Sequence, residues 1–271
     1  MGVPKTIDND LVETDHTPGF GSAAKFVATT VRETLLMHLY TIIKNCNNCR
    51  NHGTSCRWLT AASALARKFE GDNPVLIYLP EVAFNQEEFL EKVKKALETT
   101  PNLVVCVSEG INDGNGTFIC EFASDVGVDT FGHKMLTGSG KYLENLIKEK
   151  LGVKVRSVEL NVSQRCSSSC LSKTDLDEAD HSGSFAVNAA LNGETGKMIS
   201  FVMANTSPYE LSFSTADVNI ICNQEKAVPL SWITKDGSDV TDEFIRYAAP
   251  LIQGSVDVPT ENGLPLFAFR K

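Results

Sequence analysis

Between Asn73 and Glu109 the spacing of apolar residues changes twice. "NPVLIYLPE" (Asn73 to Glu81) is an almost continuous apolar run bounded by turn residues, which predicts a buried strand. "NQEEFLEKVKKALETT" (Asn85 to Thr100) places Phe89, Val93 and Leu97 on one face and charges on the other, the period of an amphipathic helix. "NLVVCVSEG" is apolar again and predicts a second strand ending at Ser108 and Glu109. Strand, helix, strand is the crossover that joins parallel strands. Ligands of such sheets bind beyond the carboxyl ends of the strands, which is where Glu109 would stand.

The alternation continues with a helix in "GKYLENLIKEKLG" ending at Gly152, a strand in "VKVRSVELN", a helix in "SGSFAVNAALNGETGKM" closed by Gly193, and a strand in "MISFVMA". Together these predict an α/β fold with a largely parallel sheet, Rossmann-like layers and flanking helices. The tail, "EKAVPLSWITKDGSDVTDEFIRYAAPLIQG", mixes a Pro-punctuated loop with a helix and reads as a closing element. At the other end the chain opens on "MGVPKTIDNDL", a strand end and site loop with no earlier elements to complete a sheet. The expectation is a first domain lacking its N-terminal part.

Composition narrows the class. The 271 residues, 42% hydrophobic and 22% charged, suffice for one large or two modest cores without a structural metal. A net charge of −9 argues against a general nucleic-acid binder while leaving room for a local phosphate pocket. Eight cysteines without a basic-then-apolar leader suggest a reducing compartment. With no apolar run of membrane-spanning length, the expectation is a soluble, cytoplasmic protein without membrane contact. Cys46, Cys49, His52 and Cys56 of "NCNNCRNHGTSCRW" have the order C-x2-C-x2-H-x3-C, a spacing that could close around zinc.

"TIDND" offers Asp8 and Asp10 two apart; on an extended segment they would face the same side. "GVPKTIDNDLVETDHTPGFGSAAKF" (Gly2 to Phe26) closely resembles the phosphofructokinase family, in particular its pyrophosphate-dependent branch. The likeness continues through "WLTAASALARKF", "LIYLPEVAF", "VSEGI", "FGHKMLTGSGKYLENL", "VRSVELNVSQRC", "SKTDLDEA" and "GETGKM".

The resemblance implies a phosphofructokinase-like fold. Residues 1–100 would be the remainder of a donor-binding α/β domain, and 101–271 a sugar-phosphate-binding α/β domain with a closing segment. It implies phosphoryl transfer to fructose 6-phosphate from pyrophosphate, or from ATP, with Mg2+, in an oligomer of identical chains or in a pair with an intact homologue. Asp8 becomes the base, Thr6 and Asp10 substrate contacts, and Lys5 the residue favouring pyrophosphate. Glu109 would bind sugar hydroxyls, Arg165 the 6-phosphate, and Arg156 the sugar phosphate of a neighbouring subunit. Arginine's planar fork suits phosphate geometry.

The same likeness accounts for the cysteine-rich stretch. Where the family has a strand and an "MGRxAG" loop, codons compatible with Asn45 to Arg57, read one base later, permit "TVTIVEIMGRHAG". Ser167 to Cys170 likewise permit "AAH". The cysteines then correspond to out-of-frame codons, and the expectation is no metal held by the protein. As written, "NCNNCRNHGTS" lacks the β-branched residues of a buried strand, which predicts a packing defect in the sheet. A glycine-rich donor segment of the "GGDGS" type is also missing upstream. Two other readings stand beside the enzyme: a non-catalytic subunit that keeps the sugar-phosphate contacts, and a zinc-binding module.

Overall fold

The computed structural model describes residues 1–34, 40–45, 57–69, 71–100, 102–122 and 138–267. In chain order the elements are α1 (Phe20–Thr34), β1 (Tyr40–Asn45), α2 (Arg57–Ala62), β2 (Leu76–Tyr78), α3 (Gln86–Thr99), β3 (Val104–Ser108), α4 (Ser139–Leu151), β4 (Val155–Glu159), α5 (Ser163–Cys166), α6 (Lys173–Leu191), β5 (Lys197–Thr206), β6 (Tyr209–Asp217), α7 (Val218–Ile221), α8 (Asp242–Ala248), β7 (Thr260–Glu261) and β8 (Leu264–Pro265).

The first four strands form a parallel sheet in the order β2-β3-β1-β4. Helices cover it on both sides. Val27 of α1 and Leu59 of α2 belong to one core with Ile77, Val104 and Cys106. Phe89 and Val93 of α3 and Leu143 and Ile147 of α4 belong to another with Leu76, Val105 and Val107. A strand buried on both faces needs apolar side chains at successive positions, which is why "VVCVS" shows no alternation and all five residues of β3 are buried. Asn85 caps α3 by accepting the Glu87 and Glu88 amides at 2.9 and 3.1 Å, and Gly152 closes α4 at φ 66°. The sheet takes β1 and β2 from before residue 100 and β3 and β4 from after it, so the expected division of 1–100 from 101–271 passes through the sheet.

Two expectations change. The sheet contains a strand that was not expected: Tyr40–Asn45, with Thr41, Ile42 and Ile43 in its sequence, lies between β3 and β4, while residues 46–56 of the stretch expected to lack a strand fall outside the described residues. The β-branched residues of β1 suit that place. Cys46, Cys49, His52 and Cys56 fall outside the described residues.

"MISFVMA" does not extend the parallel sheet. It lies in β5, which pairs antiparallel with β6 up to Thr206 opposite Tyr209. "NTSPYE" supplies turn residues directly after the strand, so the chain returns beside itself with no crossover helix. The helix before it begins at Lys173 rather than Ser182, capped by Ser172, whose Oγ accepts the Asp175 amide at 3.4 Å. No helix among the described residues is long and apolar enough to cross a membrane.

Candidate active site

Residues 1–19 contain no helix and a single strand bridge, so their shape is imposed by neighbours. Gly2 bridges to Met198 of β5, donating to the Lys197 carbonyl at 2.8 Å and accepting from the Ile199 amide at 2.9 Å. Further along, the Asp15 amide donates to the Phe201 carbonyl at 2.9 Å and the Thr14 hydroxyl accepts the Phe201 amide at 2.9 Å. The hairpin therefore grips this segment at both ends. From the opposite side Asp175 of α6 accepts the Gly19 and Ser22 amides at 2.7 and 3.0 Å, capping α1 in place of a residue of its own chain segment.

Between these anchors lies the turn that bears Asp8. Thr6 Oγ1 accepts the Asp8 amide at 3.1 Å, and the Thr6 carbonyl accepts the Thr17 hydroxyl at 2.7 Å. Asp8 is only 7% exposed, and its Oδ2 stands 3.5 Å from a guanidinium nitrogen of Arg165. Lys5 is exposed. Gly19 has φ 95°, a conformation that side chains rarely adopt, and a Cβ there would stand 3.3 Å from Ile7 Cγ2 and in ordinary contact with Lys5 Cε at 3.6 Å.

Asp8 and Asp10 do not lie on an extended segment as expected. Asn9 between them has φ 55°, in the left-handed region, which turns the chain and removes the alternation that would align their side chains. Asp8 looks to Arg165. Asp10, half-buried, lies among other charges: burial raises its pKa and Glu225 raises it further, opposed by its backbone hydrogen bond, Arg57 and Lys226. Arg57 itself is buried in α2 and pairs with Glu81 at 3.5 Å and Glu225 at 3.1 Å.

Arg165 comes from α5, the short turn that follows β4, so the carboxyl edge of the parallel sheet delivers it to Asp8. Glu109 lies at the same edge, first residue after β3 and 8% exposed, with its carbonyl accepting the Ser139 hydroxyl at 3.4 Å. Arg156 is exposed on β4, the sheet's outer strand. Its neighbour Ser157 is fastened to α4, donating from its amide and hydroxyl to Glu144 Oε2 at 2.8 and 2.6 Å. Thr6, Asp8 and Arg165 thus come together, while Glu109 stands at the carboxyl end of β3 and Arg156 on β4.

Several residues that support the turn were not singled out from sequence. His16 Nε2 meets Glu178 Oε2 at 2.8 Å, and Tyr209 donates to Glu178 Oε1. The buried Asn9 amide donates to the Tyr247 hydroxyl at 2.8 Å, which in turn donates to the Asp15 carbonyl at 2.6 Å. Lys226 reaches the same loop. Glu178 lies inside "SKTDLDEA", so that motif held a signal; Tyr247 and Lys226 have no local pattern that marks them.

A buried carboxylate beside a guanidinium that comes from the carboxyl edge of a parallel α/β sheet suits a phosphoryl-transfer or phosphate-binding protein. The phosphofructokinase family model matches residues 1–196, and the chain belongs to that family. It is 37% identical over 272 residues to a pyrophosphate–fructose 6-phosphate 1-phosphotransferase of Halomonas elongata, covering 98% of this chain and 63% of that protein. A protein of the same name from Xanthomonas campestris is 37% identical over 283 residues, covering 100% and 65%. The solved pyrophosphate-dependent phosphofructokinase of Marinobacter aquaeolei superposes with a TM-score of 0.84 at 33% identity, covering 98% of this chain and 63% of that one. The chain thus spans about 63 to 65% of the length of these relatives.

Proposed function

We propose that the chain is a piece of a pyrophosphate-dependent 6-phosphofructokinase, which transfers a phosphoryl group from pyrophosphate, or from ATP, to fructose 6-phosphate. The observation that supports this most is the Asp8 carboxylate, buried and 3.5 Å from Arg165. In the reaction the sugar's C1 hydroxyl oxygen bonds to the donor's terminal phosphorus as the P–O–P bridge breaks, and Asp8 takes the hydroxyl proton. Arg165 holds the 6-phosphate with its fork. Thr6 and Asp10 frame the acceptor, Glu109 receives sugar hydroxyls, and Arg156 reaches the site of a neighbouring chain. Lys5 contacts the pyrophosphate.

Magnesium enters this reading with the pyrophosphate. Mg2+ usually combines one or two carboxylates with substrate phosphates instead of an all-protein cage. Among the described residues no group of three or more His, Cys, Asp or Glu side chains could hold a metal ion, and no residue is assigned to it.

The test is the steady-state rate with pyrophosphate and with ATP for the chain, Asp8→Asn and Lys5→Gly. Asp8→Asn keeps a hydrogen-bond acceptor but cannot take a proton, so turnover should fall by roughly two to four orders of magnitude with fructose 6-phosphate binding retained. Lys5→Gly should weaken pyrophosphate use and leave sugar binding alone. Near-normal turnover in Asp8→Asn with either donor removes Asp8 as the base.

A further inference from the structure

We propose that Lys226 is a positioning residue for Asp8, its ammonium tying down the Asn9–Asp15 loop so that the turn presents the carboxylate in one direction. This rests on the reading of Asp8 as the base. Lys226 lies beyond the residues matched by the family model, and no sequence motif points to it.

The geometry is a three-donor ammonium on three acceptors of one loop. Lys226 Nζ donates to the Asp15 carbonyl at 2.8 Å, the Thr14 carbonyl at 3.0 Å and Asn9 Oδ1 at 3.4 Å. Its backbone amide adds a fourth tie, to the Asp10 carbonyl at 2.7 Å. Lys226 is in turn held by Trp58 of α2, whose indole nitrogen donates to the Lys226 carbonyl at 2.9 Å and whose ring centroid lies 4.8 Å from Nζ. Asn9 is the residue that needs this support. Asparagine adopts the left-handed backbone more readily than other residues with a Cβ, and its side-chain hydrogen bonds decide whether it stays there. Here the Asn9 side chain is fixed from two sides, by Lys226 and by the Tyr247 hydroxyl. Release of Asn9 would let the adjacent Asp8 turn away from Arg165.

Asp10 and Asp15 of the loop bear on the ammonium directly; around them Arg57 of α2 and Glu225 act on Asp10, and Tyr247 of α8 donates to the Asp15 carbonyl. Burial pushes the Lys226 pKa down to about 8, against the pull of Asp15 and Asp10. A base whose folded pKa lies below its unfolded value binds fewer protons when folded, so this group favours folding increasingly as pH rises from about 8 towards the ordinary lysine range. The tether weakens over the same interval, because a neutral amine has one donor fewer and no charge. Loop order and turnover should therefore decline while Lys226's own contribution to stability grows. A merely structural lysine would not separate the two.

The experiment compares the 271-residue chain with Lys226→Met and Lys226→Arg. Amide hydrogen exchange is read by mass spectrometry over residues 6–15 and over β3, and turnover is read with fructose 6-phosphate and pyrophosphate. Lys226→Met should speed exchange in the loop by about tenfold with β3 unchanged. It should lower kcat about tenfold with KM for the sugar within about threefold. Lys226→Arg, charged at every pH used, should restore loop protection and move the alkaline fall in turnover upward from about pH 8. Wild-type chain alone, corrected for intrinsic exchange, should lose loop protection above about pH 8 while β3 keeps its own. Loop protection that is unchanged in Lys226→Met, or that passes through pH 8 unaltered in the wild type, overturns the proposal. A wild-type chain showing the exchange pattern but no turnover supports the tether and overturns the assigned reaction.

Discussion

The parallel sheet and the Asp8 turn are built by opposite means. In the sheet, each element announces itself within a dozen residues: apolar runs for β2 and β3, a 3.6-residue period for α3, a capping Asn85, a closing Gly152. The turn has local bonds from Thr6 and Thr17, but its anchors lie elsewhere in the chain. Asn9 is fixed by Tyr247, Gly19 by Asp175, Asp15 by Phe201 and the loop by Lys226, partners lying more than a hundred residues away. Local pattern fixes where a side chain points when the backbone is regular; in an irregular segment direction comes from distant partners, and chemistry placed there depends on them.

The largest effect that separates the two regions lies in the sheet. Phe89 is fully buried between Tyr78 and Phe84, at ring distances of 5.5 and 5.2 Å. Phe89→Ala should cost about 3–5 kcal/mol of unfolding free energy, read by denaturant melts, and leave sugar-phosphate affinity intact while the chain stays folded. A loss under about 1 kcal/mol would mean that α3 is not part of the core as described. A smaller loss belongs to the turn. Tyr247→Phe removes the group that accepts from Asn9 and donates to Asp15, leaving buried polar atoms unpaired at a cost of about 1–3 kcal/mol. Its signature is locality: hydrogen exchange should quicken in residues 6–15 more than in β3, and uniform change across both would break the comparison.

Sequence made the sheet legible because its periodicity is the periodicity of burial. It also located the residues of the turn, since "PKTIDND" is distinctive, and it placed Glu109 at a strand end, while Arg165 came from the resemblance alone. What it could not give was direction. The alternation rule aligned Asp8 with Asp10, and a left-handed Asn9 undid that. The hairpin was half visible: "YELSFSTAD" alternates as a strand should, yet β5 alone was noticed, and so was joined to the wrong sheet. At β1 the β-branched signal is short, "YTII", and is followed at once by a polar run. Lys226 was invisible for a simple reason. A lysine in an exposed-looking loop reads as solvated until Trp58, Thr14 and Asp15 are seen around it.

The claim that the Asp8 turn and the β4 edge together form a sugar-phosphate site has a direct test in isothermal titration. Fructose 6-phosphate is titrated into the 271-residue chain and into Arg165→Ala, both checked for equal melting behaviour. Arg165 is 36% exposed at its side chain and within 3.5 Å of Asp8, so its removal leaves the core alone and takes away the proposed phosphate fork. Expected is saturable binding by the chain, weakened about tenfold or more in Arg165→Ala, as for the loss of a charge-assisted pair. Equal affinities in the two proteins, or no saturable binding by the chain at all, would contradict it.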